Sequence, residues 1–254
     1  MHSRSSARRD GIPFVLVHGL YISSLYMVPL AECLSADSEV HALDLPGFGR
    51  SSGPVVTPSI PELADYVAEW MAAAGVKKCH LFGNSLGSQI VADLAARRPD
   101  LLVSLTLTGP TIDPSAHSMP QQAAGILRDM FHEPPRLWVN HLVDDLRCGP
   151  IRWVTLLREM FVDHIEKKLP SIPVPTLILR GEHDPSAPDR WCREAAAMIP
   201  DARCSTVPDS WHCAHFTHPA EVAAHLRSFI DEAIVQESPS PEVASGANRA
   251  GIFP

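Results

Sequence analysis

Lys78-Cys79-His80-Leu81-Phe82-Gly83-Asn84-Ser85-Leu86-Gly87-Ser88-Gln89-Ile90-Val91-Ala92 is the stretch whose reading decides the fold. It opens short, apolar and β-like, and it ends in residues that, continued by Leu94 and Ala95, suit a buried helix. Between the two, Gly83, Ser85 and Gly87 match the G-x-S-x-G turn, where a serine sits on a strained strand-to-helix reversal and only small residues fit beside it. A strand before and a helix after make this common five-residue match specific. The following helix points its amino end at the serine, so its free N–H groups and dipole favour negative charge there. Ser85 is therefore the candidate nucleophile.

Working outward, further apolar runs fall at 14–17, 40–45, 102–107, 176–179 and 203–207, and helical periodicity at 25–34, 61–74, 189–199 and 219–234. Strands alternating with helices predict an α/β fold with parallel strands, right-handed crossovers and ligands bound beyond the carboxyl ends of the strands. The first two runs stop in glycine loops, His18-Gly19 and Pro46-Gly47-Phe48-Gly49. Residues 111–171 break the alternation, with no convincing strand and spacing for about three helices, and read as an inserted helical lid. Most of its large apolar residues, Met119, Leu127, Met130, Phe131, Leu137, Trp138, Trp153, Leu157, Met160 and Phe161, are expected to pack the lid's own helices, the rest to line an apolar pocket. The predicted organisation is a core at 12–110 and 172–235, the lid at 111–171 and a disordered tail at 236–254, rich in Pro, Ser, Gly and Ala.

A chain of 254 residues with 45% hydrophobic content is large enough for one α/β domain with a lid. Its net charge of -8 argues against a nucleic-acid partner. Arg4, Arg8 and Arg9 are not followed by the apolar stretch of a signal peptide, and no segment is long enough to span a bilayer. A cytoplasmic protein, monomer or homodimer, acting on a small apolar molecule is expected. The six cysteines, at 33, 79, 148, 192, 204 and 213, contain no CxxC pair, so most read as small buried apolar residues.

With these motifs in view the chain resembles the α/β-hydrolase superfamily over residues 13–235. The resemblance rests on five segments in the family's order: Val17-His18-Gly19; Asp44-Leu45-Pro46-Gly47-Phe48-Gly49-Arg50-Ser51; the serine turn; Arg180-Gly181-Glu182-His183-Asp184 with Pro188; and the histidine segment 211–221. Only about a dozen residues precede the first apolar run, so one or two of the usual eight strands are expected to be missing, leaving about six.

The resemblance implies a Ser, Asp, His order. Asp184 follows the run at 176–179 and sits in a Gly-x-x-Asp-x-x-x-Pro pattern, with Asp113 as the fallback acid. Among His212, His215 and His218, the family's spacing to a following proline, here Pro219, selects His212; Trp211 stands where relatives have glycine. A metal site from His212, Cys213, His215 and His218 is the competing reading, but its spacing matches no recognised zinc pattern. His18 is implied to be structural, the oxyanion donors being the backbone N–H groups of Leu20 and Leu86, and Asp44 is implied to order its glycine loop. No cofactor or metal is required.

The expected chemistry is acyl transfer, with hydrolysis of an ester, thioester or lactone foremost. The serine excludes dehalogenases and epoxide hydrolases, whose nucleophile is a carboxylate. Carbon-carbon hydrolysis of ring-cleavage diketones, cofactor-free perhydrolysis and ligand binding without turnover on this fold are the alternatives.

Overall fold

The computed structural model describes residues 1–20, 22–116, 128, 132, 137 and 148–237. Most of the expected lid, with Met119, Leu127, Met130, Phe131 and Trp138, lies outside the described residues, as does the tail from 238 onward.

The strands are β1 (Ser3–Ser5), β2 (Phe14–Val17), β3 (Val40–Leu43), β4 (Cys79–Asn84), β5 (Leu102–Thr108), β6 (Thr176–Gly181) and β7 (Ala202–Val207). They form one seven-stranded sheet in the order β1-β3-β2-β4-β5-β6-β7. Every pair is parallel except β1 with β3. The count is one above expectation because Ser3-Arg4-Ser5 has no apolar pattern. It is a strand only because it pairs with His41 to Leu43 at the sheet edge. The described helices are α1 (Val28–Leu34), α2 (Ile60–Ala74), α3 (Leu86–Arg97), α4 (Pro150–Val162), α5 (Asp189–Met198), α6 (Ala214–Thr217) and α7 (Pro219–Glu237).

Period-two alternation divides the core. Val15 and Val17 of β2 join Leu81, Leu105, Leu107 and Ile178 under α2, α3 and α5, while Phe14 and Leu16 join Phe82, Leu177, Leu179 and Val207 under α1, α6 and α7. Strands buried on both faces read as continuous apolar runs, which is why β2 and β4 to β6 were visible in sequence. Helix α2 begins with a capping box, Ser59 with Glu62, and ends at Gly75 in the left-handed region. The segment 150–171, within the expected lid, contains α4 and two short 3-10 turns, Ile165–Lys167 and Leu169–Ser171. Leu156 and Met160 of α4 are buried in the same core cluster as α3. Among the described residues no helix is long and apolar enough to cross a membrane.

Candidate active site

Ser85 stands between β4 and α3 with φ 57° and ψ -120°, a conformation that side chains other than glycine rarely adopt. Neighbouring glycines make it attainable. A Cβ on Gly83 would lie 2.4 Å from the carbonyl oxygen of Gly87, and one on Gly87 would lie 2.4 Å from that of Val17. Backbone meets backbone at both positions, so no rotamer change relieves the clash. The Ser85 N–H donates to Thr108 O at 3.0 Å, tying the turn to the end of β5.

Asn84, the unassigned second residue of the turn, is fully buried. Its Nδ2 faces Thr108 O at 3.3 Å and His212 O at 3.4 Å, and its Oδ1 accepts a hydrogen bond from the Tyr26 hydroxyl. One amide thus connects the Ser85 turn, β5, the His212 loop and the 3-10 turn before α1. Sequence reading missed this, since the motif leaves position 84 free; the signal available was a polar side chain in an otherwise apolar strand.

Asp184 and His212 come from the loops after β6 and β7. His212 Nδ1 lies 2.8 Å from Asp184 Oδ2, and the Asp184 side chain is fully buried. The other carboxylate oxygen, Oδ1, accepts from the N–H groups of Ser186 at 2.8 Å and Ala187 at 3.1 Å. Burial alone would raise the Asp184 pKa, but the charge and hydrogen bond of His212 and the two backbone donors together hold it below the usual carboxylate range. With the carboxylate as acceptor, His212 Nδ1 carries the proton of this hydrogen bond. Gly109, at the end of β5 with φ 54°, fits closely beneath the pair: a Cβ there would stand 2.8 Å from His212 Cε1 and 3.1 Å from Asp184 Oδ2. Because Ser85 N bonds the residue before Gly109, the serine and the Asp184–His212 pair share the carboxyl end of β5.

The other candidates fall elsewhere. Asp113 is buried and ion-paired with Arg190, and it accepts from Ser115 at 2.9 Å. His215 is enclosed in the α1, α6 and α7 core against Tyr26, ring centroids 4.3 Å apart, and neither ring nitrogen has a hydrogen-bond partner. Burial pushes its pKa down to about 3, with the neighbouring His212 adding to the effect. His218 Nδ1 lies 2.9 Å from Thr217 Oγ1, ahead of α7. The four residues of the competing metal reading do not converge. Among the described residues the group with ligand atoms within 4.8 Å of one another is the exposed Glu182, His183 and Asp209.

Leu86 opens α3, so its N–H has no acceptor within the helix. On the facing loop, a Cβ at Gly19 would stand 3.1 Å from Ser85 Cβ, which places the segment leading to Leu20 against the serine. His18 holds that loop: its Nε2 accepts from Leu45 N at 3.0 Å, so Nδ1 carries the proton and donates to Gly19 O at 2.7 Å. Asp44 fastens the next loop, accepting from Ser24 N at 2.8 Å and Arg50 N at 3.0 Å. It also pairs with His2 Nδ1 at 2.8 Å.

The chain is similar in sequence and fold to known hydrolases. RutD of Agrobacterium fabrum, a protein named for carbamate hydrolysis, is 35% identical over 256 residues, covering 91% of this chain and 96% of its own. Esterase YbfF of Escherichia coli is 25% identical over 246 residues, covering 89% and 95%. A solved esterase from Thermogutta terrifontis superposes with a TM-score of 0.76 at 21% identity, covering 91% of this chain and 93% of that one, a likeness of fold. The profile described as the alpha/beta hydrolase family matches residues 14–225, from the first core strand into the last helix, and with that span and these relatives the chain belongs to the alpha/beta hydrolase family as a hydrolytic enzyme.

Proposed function

We propose that the protein is a serine hydrolase that cleaves a carboxylic ester, thioester or lactone carrying a small to medium apolar acyl or aromatic group. The observation that carries this reading is the 2.8 Å contact between His212 Nδ1 and the buried Asp184 carboxylate, held at the strand end that also bonds Ser85. In this reading His212 Nε2 takes the Ser85 proton as Oγ attacks the substrate carbonyl, and returns it to the leaving group. Water then enters, deprotonated by the same nitrogen, and releases the acyl group from Ser85. The N–H groups of Leu86 and Leu20 receive the oxyanion; losing one such donor typically costs about 3 to 4 kcal/mol of transition-state stabilisation. Asp184 orients His212 and stabilises its imidazolium. The esterase and carbamate hydrolase names among the relatives support hydrolysis at a carbonyl carbon.

The test is intact-mass analysis after reaction with a fluorophosphonate, beside turnover of p-nitrophenyl acyl esters. The wild type is expected to carry one adduct, at Ser85. Ser85→Ala is expected to carry none and to lose at least about 10⁴-fold in kcat with the fold unchanged. A well-folded wild type that neither labels nor turns over any ester, lactone or diketone substrate would overturn the assignment in favour of a ligand-binding protein.

A further inference from the structure

One aromatic side chain with no part in the proposed proton transfers touches three of the loops around them. Tyr26 stands on the 3-10 turn Ser24–Met27, ahead of α1, and is 2% exposed. Its backbone is fixed on both sides. Tyr26 N donates to Ser23 O at 3.2 Å, and Ser24 N donates to the Asp44 carboxylate at 2.8 Å. From this turn the ring enters the core beneath α1, α6 and α7, with Phe82 and Phe216.

The hydroxyl donates to Asn84 Oδ1 in the Ser85 turn. The far side of the amide dictates that direction. Thr108 O at 3.3 Å and His212 O at 3.4 Å both face Asn84 Nδ2, and carbonyl oxygens only accept, so the amide nitrogen must point to them and its oxygen to Tyr26. The same hydroxyl abuts the His18-Gly19 loop: a Cβ on Gly19 would stand 3.2 Å from it and 3.1 Å from Ser85 Cβ. The ring meets the other end of the His212 loop, where His215 packs perpendicular to it with centroids 4.3 Å apart. Among the described residues neither His215 nitrogen has a hydrogen-bond partner, so packing on Tyr26 and on Phe82, at 5.8 Å, sets its place. Phenylalanine would supply this packing equally well. Only the hydroxyl satisfies the oxygen of a fully buried amide.

We propose that Tyr26 is a positioning residue for hydrolysis: through the Asn84 amide it holds the His212 loop in register with the Ser85 turn. This role rests on the serine hydrolase reading of the site. Tyr26 acts through other residues and not on the substrate. Without its hydroxyl, Asn84 Oδ1 is buried with no donor from Tyr26, and the amide relieves this by turning, which withdraws Nδ2 from His212 O. His212 then shifts relative to Ser85 while the contacts that bind the acyl group stay, so the loss falls on kcat rather than on KM.

The experiment measures kcat and KM for a p-nitrophenyl acyl ester, and the rate of fluorophosphonate labelling, at a temperature where circular dichroism shows each protein folded. The full chain is compared with Tyr26→Phe, Asn84→Ala and the double variant. Tyr26→Phe is expected to lower kcat and the labelling rate roughly tenfold, with KM within about twofold of the wild type. Because Tyr26 acts through Asn84, the double variant should be no slower than Asn84→Ala alone. Wild-type kcat and labelling in folded Tyr26→Phe, even with lower stability in urea, would reduce the residue to packing and overturn the role. Losses in the single variants that multiply in the double would overturn it too. Should Tyr26→Phe fail to fold, Asn84→Ala cuts the same link from the other side: lower kcat at unchanged KM supports the link, and wild-type turnover overturns it. A wild type that takes no label and turns over no ester sinks the hydrolase reading and this role together, whereas a wild type that labels confines any failure to Tyr26.

Discussion

Gly109 shows what this site demands of a residue with no chemistry of its own. Its φ of 54° and the 2.8 Å left between an added Cβ and His212 Cε1 make Gly109→Ala doubly unfavourable. The strain of a left-handed alanine is about 1 to 2 kcal/mol, and displacement of His212 or Asp184 should lower kcat for ester hydrolysis by at least about tenfold. Gly75→Ala is the control: φ is 75° there but no atom lies within 4 Å, so stability should fall in urea titration while kcat stays. Ser85, Asp184 and His212 were legible in sequence because each sits in a motif whose order along the chain is itself informative. Gly109 was not, since a glycine after a strand is common. Asn84 was not because its partners Tyr26 and His212 lie 58 and 128 residues away, and no local pattern encodes them.

At the scale of elements, α3 is tied to the segment that follows β5 by polar groups as well as by packing. Gln89 Nε2 donates to Met160 O of α4 at 2.9 Å, and Lys168 Nζ lies 3.0 Å from Asp93 of α3 while pairing with Asp163, just past α4. Asp93 and Asp163 are nearly inaccessible at their side chains, 6% and 4% exposed, so removing their shared cation leaves buried negative charge. Lys168→Met should therefore cost about 3 kcal/mol in chemical denaturation, less than a fully buried pair would, because Arg97 still holds Asp93. If stability is unchanged, the ion pairs contribute nothing to holding the segment on α3. Elements whose pattern was strongly periodic were read almost to the residue, as α2 was. Where boundaries differ the cause is local. Helical spacing starts at 25, yet α1 begins at Val28, because Pro29 lacks an N–H and fits only in a first turn, so the preceding residues form the 3-10 turn Ser24–Met27. The apolar run at 40–45 ends as a strand at Leu43, where Asp44 turns its carboxylate onto the loops at Ser24 and Arg50.

For the whole molecule, the buried histidines set the response to acid. Burial lowers the pKa of His41, that of His80 to about 4 and that of His215 to about 3, whereas each returns to about 6.5 in the unfolded chain. Between those limits the unfolded state binds more protons than the folded one, so stability is complete above pH 6.5 and declines as the pH falls towards 3. His215 alone should remove about 1.4 kcal/mol between pH 7.5 and 5.5. In urea titrations across that range, His215→Phe should flatten the dependence; an unaltered slope would mean that His215 acquires its proton without unfolding. Asp44 and Asp184, with pKa values held low, lose their contribution only further down, below about 4. The parallel order of β2 to β7 also has a practical side. All the candidate groups lie beyond the carboxyl ends of the strands, whereas exposed Lys77 and Lys78 precede β4 at its amino end. The chain has only four lysines, and the other two are Lys167 and the largely enclosed Lys168. Attachment through Lys77 or Lys78 would therefore hold the protein by the rim opposite Ser85, leaving the mouth of the site towards the solvent.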